Sequence, residues 1–147
     1  MVIIFEQEGT VAVVQFPAGA DPTVVAAGAV PAGTPWELID WKELPPRREF
    51  RNAWQAEPGK VGTNMTKARE IHMGRIRTAR NGKLKELDTE YQRADEDNDP
   101  ALKAQIAQQK RELRDLPATF DLESAGTPEE LSKLWPDDKI GPKRRMW

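Results

Sequence analysis

The sequence predicts an α+β protein: a small N-terminal β-rich module, then a long antiparallel αα-hairpin, then a short C-terminal helix with an extended tail. Three observations predict it. β-branched runs flank Gly9 near the start. Apolar and small residues recur at helical spacing from Met65 to Ala94. Helix starts are written at Asn64, Asp99-Pro100 and Thr127-Pro128. The boundaries that follow are 1–62 for the β-rich module, 63–117 for the hairpin and 118–147 for the short helix and basic tail.

Val2 to Phe5 and Thr10 to Phe16 read as two strands of a β-hairpin, with Gly9 supplying the turn. The apolar runs are nearly continuous, so both faces are expected to be covered. Asp21-Pro22 can start a short helix through Ala27 that ends at Gly28, and a third strand is the rival reading. Residues 29–35 are turn-rich, and Trp36 to Trp41 reads as a strand that Leu44-Pro45-Pro46 breaks. Arg47 to Trp54 is a compact basic and aromatic segment, and Glu57 to Gly62 reads as the linker into the hairpin.

Asn64 opens the first long helix as its cap. Gly82, inside that helix, predicts a bend or a close contact, because Gly there costs about 1 kcal/mol relative to Ala. The acidic run Asp95 to Asp99 ends it, since carboxylates are unfavourable at a helix C-terminus. Asp99-Pro100 starts the second helix, whose inner face reads Leu102, Ile106, Leu113 and Leu116, with Gln109 weakening it. Leu116-Pro117 closes it. Thr127, Pro128, Glu129 and Glu130 then start a short helix with Leu131, Leu134 and Trp135 on its apolar face. Asp137 to Trp147 reads as disordered by composition.

Composition narrows the function. Of 147 residues, 38% are hydrophobic and 31% charged, which gives a modest core and a wet surface. The absence of cysteine excludes disulfides and thiolate metal sites. No apolar run approaches a membrane span, and the N-terminus lacks the basic start of a signal peptide. Net charge is −2, but 64–94 carries eight Lys or Arg against four acids, and 95–99 carries four acids and no base.

No catalytic, cofactor-binding or metal-ligating constellation emerges. Asp95, Asp97 and Asp99 have the spacing that opens a calcium loop, yet Pro100 and Ile106 stand where that loop needs Gly and Glu. The single histidine, His72, reads as structural. Arg75, Arg77, Arg80, Lys83 and Lys85 are interleaved with acids and lack stacking aromatics, which argues against nucleic acid. Neither a membrane nor a small-molecule substrate is expected as a partner.

Size and stripe together point to protein–protein burial. About thirty helical residues span roughly 45 Å, against a radius of gyration of roughly 15 Å for a compact chain of this length. The hairpin stripe is rich in Ala and thin in large apolar groups. Another polypeptide is therefore expected to cover it, at Ile76, Leu84, Leu87 and Tyr91, and packing of the hairpin on the N-terminal module is the rival reading. Trp36 and Trp41 read as mainly core, whereas Phe50, Arg51, Trp54, Trp135 and Trp147 read as interface, where Trp and Arg concentrate binding energy.

Several motifs are shared with a known group. They are Val30 to Trp36, Leu44-Pro45, Phe50-Arg51-Asn52-Ala53-Trp54, Lys67 to His72, Leu84 through Asp88, Lys110 through Asp115, and Thr127 to Leu131 up to Leu134-Trp135-Pro136. The pattern, over about residues 2–136, resembles small tail fibre assembly chaperones and tail accessory proteins of bacteriophages and prophages. The resemblance implies a tail fibre protein as partner, helped to fold and trimerise in the host cytoplasm, with the helper sometimes staying bound in the virion tail. A structural tail or baseplate component without a chaperone role is the alternative. Gly82 and residues 137–147 depart from the pattern.

Overall fold

A computed structural model describes residues 1–145, which fall into two compact units, residues 1–68 and the chain from Arg69 onward. The architecture is α+β, with antiparallel strands first, then a long helix pair and short C-terminal helices.

In the first unit, β1 (Val2–Gln7) and β2 (Thr10–Gln15) form the expected hairpin. Glu8 and Gly9 both have positive φ, 51° and 77°, as a two-residue turn of the primed kind requires. The Lys67 ammonium donates to the Gly9 carbonyl at 2.7 Å and fixes that turn. α1 (Pro22–Ala29) is a helix rather than a strand, capped by the Asp21 carboxylate accepting from the Thr23 N–H. β3 (Trp36–Ile39) pairs antiparallel with the other side of β1, so the sheet order is β2-β1-β3. Central β1 is buried on both faces from Val2 to Phe5, which explains its unbroken apolar run.

Residues 57–62 are not a linker. β4 (Trp54–Glu57) and β5 (Lys60–Thr63) form a second hairpin through Pro58-Gly59, with Gly59 at φ 76°. Trp54 and Val61 on this ribbon join Val2, Ile4, Val11 and Ile39 of the sheet in one core, against which Val13 and Leu44 pack. Each such side chain contributes roughly 1.5–3 kcal/mol by leaving water. The strand signal was missed because each strand has only four residues, too few for alternation to show.

α2 (Met65–Glu96) starts where Asn64 caps it, its side-chain oxygen accepting from the Lys67 N–H at 3.1 Å. The helix is unbroken for 32 residues. Gly82 makes no close contact, for a Cβ there would meet nothing within 4 Å. The stop is made by Asn98 at φ 51°, not by the acids as such. The Asp99 N–H donates to the Ala94 carbonyl and the Asn98 N–H to that of Asp95, a left-handed C-terminal cap. Asp99 then serves twice, because its carboxylate also accepts from the Leu102 N–H and caps α3 (Pro100–Thr119).

α3 runs through Pro117 to Thr119 rather than closing at Leu116. A proline in the last turn removes one intrahelical bond, and the Phe120 N–H donates to the Leu116 carbonyl to finish the helix. α4 (Pro128–Lys133) starts as expected, with the Thr127 hydroxyl accepting from the Glu130 N–H at 3.2 Å.

The expected disorder after Asp137 is overturned for the described residues. α5 (Asp137–Ile140) forms, the Trp135 indole N–H donates to the Gly141 carbonyl at 2.9 Å, and the Lys143 ammonium donates to the Ser132 carbonyl and hydroxyl. Composition does not report these side-chain bonds, which tie the stretch to Trp135 and Ser132.

Candidate protein-docking site

Within the second unit, contacts between α2 and α3 pair falling numbers on one helix with rising numbers on the other. The Lys103 ammonium donates to the Asp95 carboxylate at 2.6 Å, and Lys110 pairs with Asp88. Both ammonium groups lie 5.5–5.7 Å from the centre of the Tyr91 ring, within reach of its negative face. Asp95 holds the Lys103 ammonium above the ordinary lysine range, chiefly through that hydrogen bond.

On α3 Lys103, Ile106, Lys110, Leu113 and Pro117 are each at least half-buried, and Leu116 is buried beside them as expected. The repeat alternates steps of three and four, as in a coiled-coil seam. Leu102 does not belong to it. It is 42% exposed, and Gln109 is exposed too. Lys103 and Lys110 are half-buried beside the apolar positions, with their ammonium groups on Asp95 and Asp88.

The C-terminal stretch lies against the first half of α2 in this unit. The Arg69 guanidinium donates to the Ala125 carbonyl at 2.7 Å. His72, with no measurable exposure, bonds the Leu134 carbonyl through Nε2 at 2.7 Å. A carbonyl only accepts, so Nε2 carries the proton. The Trp135 ring meets His72 edge-on at 5.7 Å. The single histidine is thus a buried clamp between α2 and the chain after α4.

These contacts correct the expected interface. Ile76 and Leu87 are buried by the chain itself, and Leu84 and Tyr91 are half-buried. Phe50, Trp54 and Trp135 are buried as well, each exposing less than a tenth of its surface. The chain itself therefore covers Ile76 and Leu87, against the expectation that another polypeptide does so. Trp147 lies outside the described residues. Of the expected interface residues, Arg51 alone is fully exposed among those described.

The assignment of the indoles is reversed. Trp41 is 62% exposed and Trp36 39%, not core. Trp41 opens a single turn of 3-10 helix whose cap is Asp40, with the Lys42 N–H donating to its carboxylate. Its polar neighbours Asp40, Lys42 and Glu43 were the available sequence signal.

Trp41 borders an open groove of about 730 Å³ in the first unit, lined by two tryptophans, three cations and two prolines. Trp54, Leu44 and Val13 give it an apolar floor continuous with the core. Lys42, Arg48 and Arg51 ring it, and no carboxylate lines it. Among the described residues, no ion pair neutralises these three cations. Arg51 is held in place by its backbone, whose carbonyl accepts from the Thr10 hydroxyl at 2.8 Å. The sequence located half of this site, the Arg51–Trp54 pair, and missed the half supplied by Trp41 to Arg48.

An apolar floor with an exposed indole and a cationic rim suits a protein segment bearing carboxylates. Among the described residues, no group of three or more His, Asp or Glu could hold a metal ion, and no helix is long and apolar enough to cross a membrane. No protein-family model matches this chain, and no curated protein or solved structure matches it.

Proposed function

We propose that this protein is a phage or prophage tail fibre assembly chaperone. It covers apolar surface of a fibre polypeptide until trimerisation, and it can remain on the fibre in the virion tail. The groove around Trp41 carries the reading. A chain that leaves Trp41 62% exposed beside a groove lined by Lys42, Arg48 and Arg51 presents the residue types that dominate protein interfaces. The fibre as client rests on the resemblance of the sequence motifs. In this reading the helix pair is an antiparallel hairpin that stiffens the molecule, supported by the Asp88–Lys110 and Asp95–Lys103 pairs, and the chain works without cofactor, metal or substrate.

Co-expression with the neighbouring fibre gene tests it. Soluble fibre yield should rise with the wild-type chain and fall back when Trp41→Ala and Arg48→Glu are combined. A yield indifferent to the chain overturns the chaperone reading. Fixed stoichiometry in purified virions, with fibres that fold normally without it, would select a structural tail component instead.

A further inference from the structure

The chain carries, on its second unit, a feature that matches the groove of the first. The turn between α2 and α3 holds the densest acid run in the sequence, Asp95-Glu96-Asp97-Asn98-Asp99, and all five residues are exposed. Two of its carboxylates have intramolecular work: Asp95 holds Lys103, and Asp99 caps α3. Glu96 and Asp97 do not, among the described residues. One helical turn on, Leu102 is 42% exposed, one of five large apolar side chains left in water among the described residues. Acid and leucine therefore stand together on a stiff, narrow turn.

The groove offers the complement: Lys42, Arg48 and Arg51 for carboxylates, and Trp41, Leu44 and Pro45 for an apolar side chain. Its volume of about 730 Å³ lies within the roughly 300–1,000 Å³ of clefts that enclose a drug-sized ligand. We propose that, with no client present, the groove of one copy takes the acidic α2–α3 turn of a second copy. Glu96 and Asp97 then meet Arg48 and Arg51, and Leu102 lies against Trp41. A contact between two different patches closes as a dimer if it is reciprocal, and otherwise builds rings or chains. Self-association would shelter Trp41 until a client displaces the turn. The inference rests on the groove being a protein-docking surface, but not on the client being a fibre.

Sedimentation of the full chain across a wide concentration range tests it. At about 0.1 M salt, where charges are felt over roughly 10 Å, mass should rise with concentration. At about 1 M, where that distance falls to roughly 3 Å, association should weaken at least about tenfold. The double variant Arg48→Glu with Arg51→Glu should lose self-association, and so should Glu96→Lys with Asp97→Lys. All four residues are exposed, and unchanged circular dichroism would show both variants folded. Mixed together, the two variants should recover a complex that neither forms alone.

A wild-type chain that stays monomeric at low salt overturns the proposal. So does association that survives either charge reversal, or a failure of the mixture to recover. Retention of single-stranded DNA by the groove, lost in the Arg48→Glu, Arg51→Glu variant while self-association is absent, overturns it in favour of a polyanion. Soluble fibre yield is measured separately, so a chain that self-associates without helping fibres refutes only the functional reading.

Discussion

The sheet of the first unit and the helix seam of the second solve the same problem with different materials. The sheet core is hydrocarbon and indole: Val2, Ile4, Val11, Ile39, Val61 and Trp54. The seam alternates Ile106 and Leu113 with Lys103 and Lys110, whose ammonium groups lie over the Tyr91 ring and reach Asp95 and Asp88. Burial of apolar area is indifferent to moderate salt, whereas exposed ion pairs are screened by it. The second unit thus keeps an apolar interior at Ile76, Leu87, Ile106, Leu113 and Leu116 and adds exposed ion pairs, and only those pairs are salt-sensitive.

The largest expected effect falls on the sheet. Trp54→Ala should cost about 3–5 kcal/mol in urea unfolding, because it empties the middle of that apolar cluster. A cost below about 1 kcal/mol would show that the contrast between the regions is wrong. Next comes the clamp. His72→Leu keeps the bulk but leaves the Leu134 carbonyl without its donor, and about 2–3 kcal/mol should be lost. Hydrogen exchange should place that loss in α2 and the residues after α4, leaving the β1–β2 hairpin protected.

Gly82→Ala should raise stability by about 1 kcal/mol, since the helix is regular there and the new methyl has open space. A loss would reveal a role for Gly82 that packing does not show. Lys110→Met trades an ion pair with an exposed partner for apolar cover of Tyr91. It should change stability by less than about 1 kcal/mol and reduce its dependence on salt.

The smallest effect concerns pH. The ammonium of Lys103 has its pKa raised above 10.5 in the folded chain. Its contribution is therefore fully present below 10.5 and is lost as pH climbs through the higher folded value. The stability difference between wild type and Lys103→Met should be flat through neutral pH and shrink only in strong alkali.

What the sequence made legible follows from how local each signal is. Caps at Asp21, Asn64, Asp99 and Thr127 are read from two or three adjacent residues, and all four accept the bonds expected of them. The β4–β5 ribbon was illegible, because a four-residue strand has no period to detect. The seam was misread for a chemical reason: Lys103 and Lys110 look like surface residues until the alkyl stem is counted as apolar cover. The groove was half-read. Arg51 and Trp54 announce themselves, but Trp41 was assigned inward because tryptophan usually is, and only tertiary structure shows that its 3-10 turn faces it outward.

The placement of the indoles also equips the molecule with two internal gauges. Trp54 is enclosed by the strands, and the Trp135 ring meets the buried His72 imidazole edge-on. Each unit therefore reports its own loosening by fluorescence. Variants that keep one of these tryptophans and replace the others would let the melting of strands and helices be watched separately in a single chain.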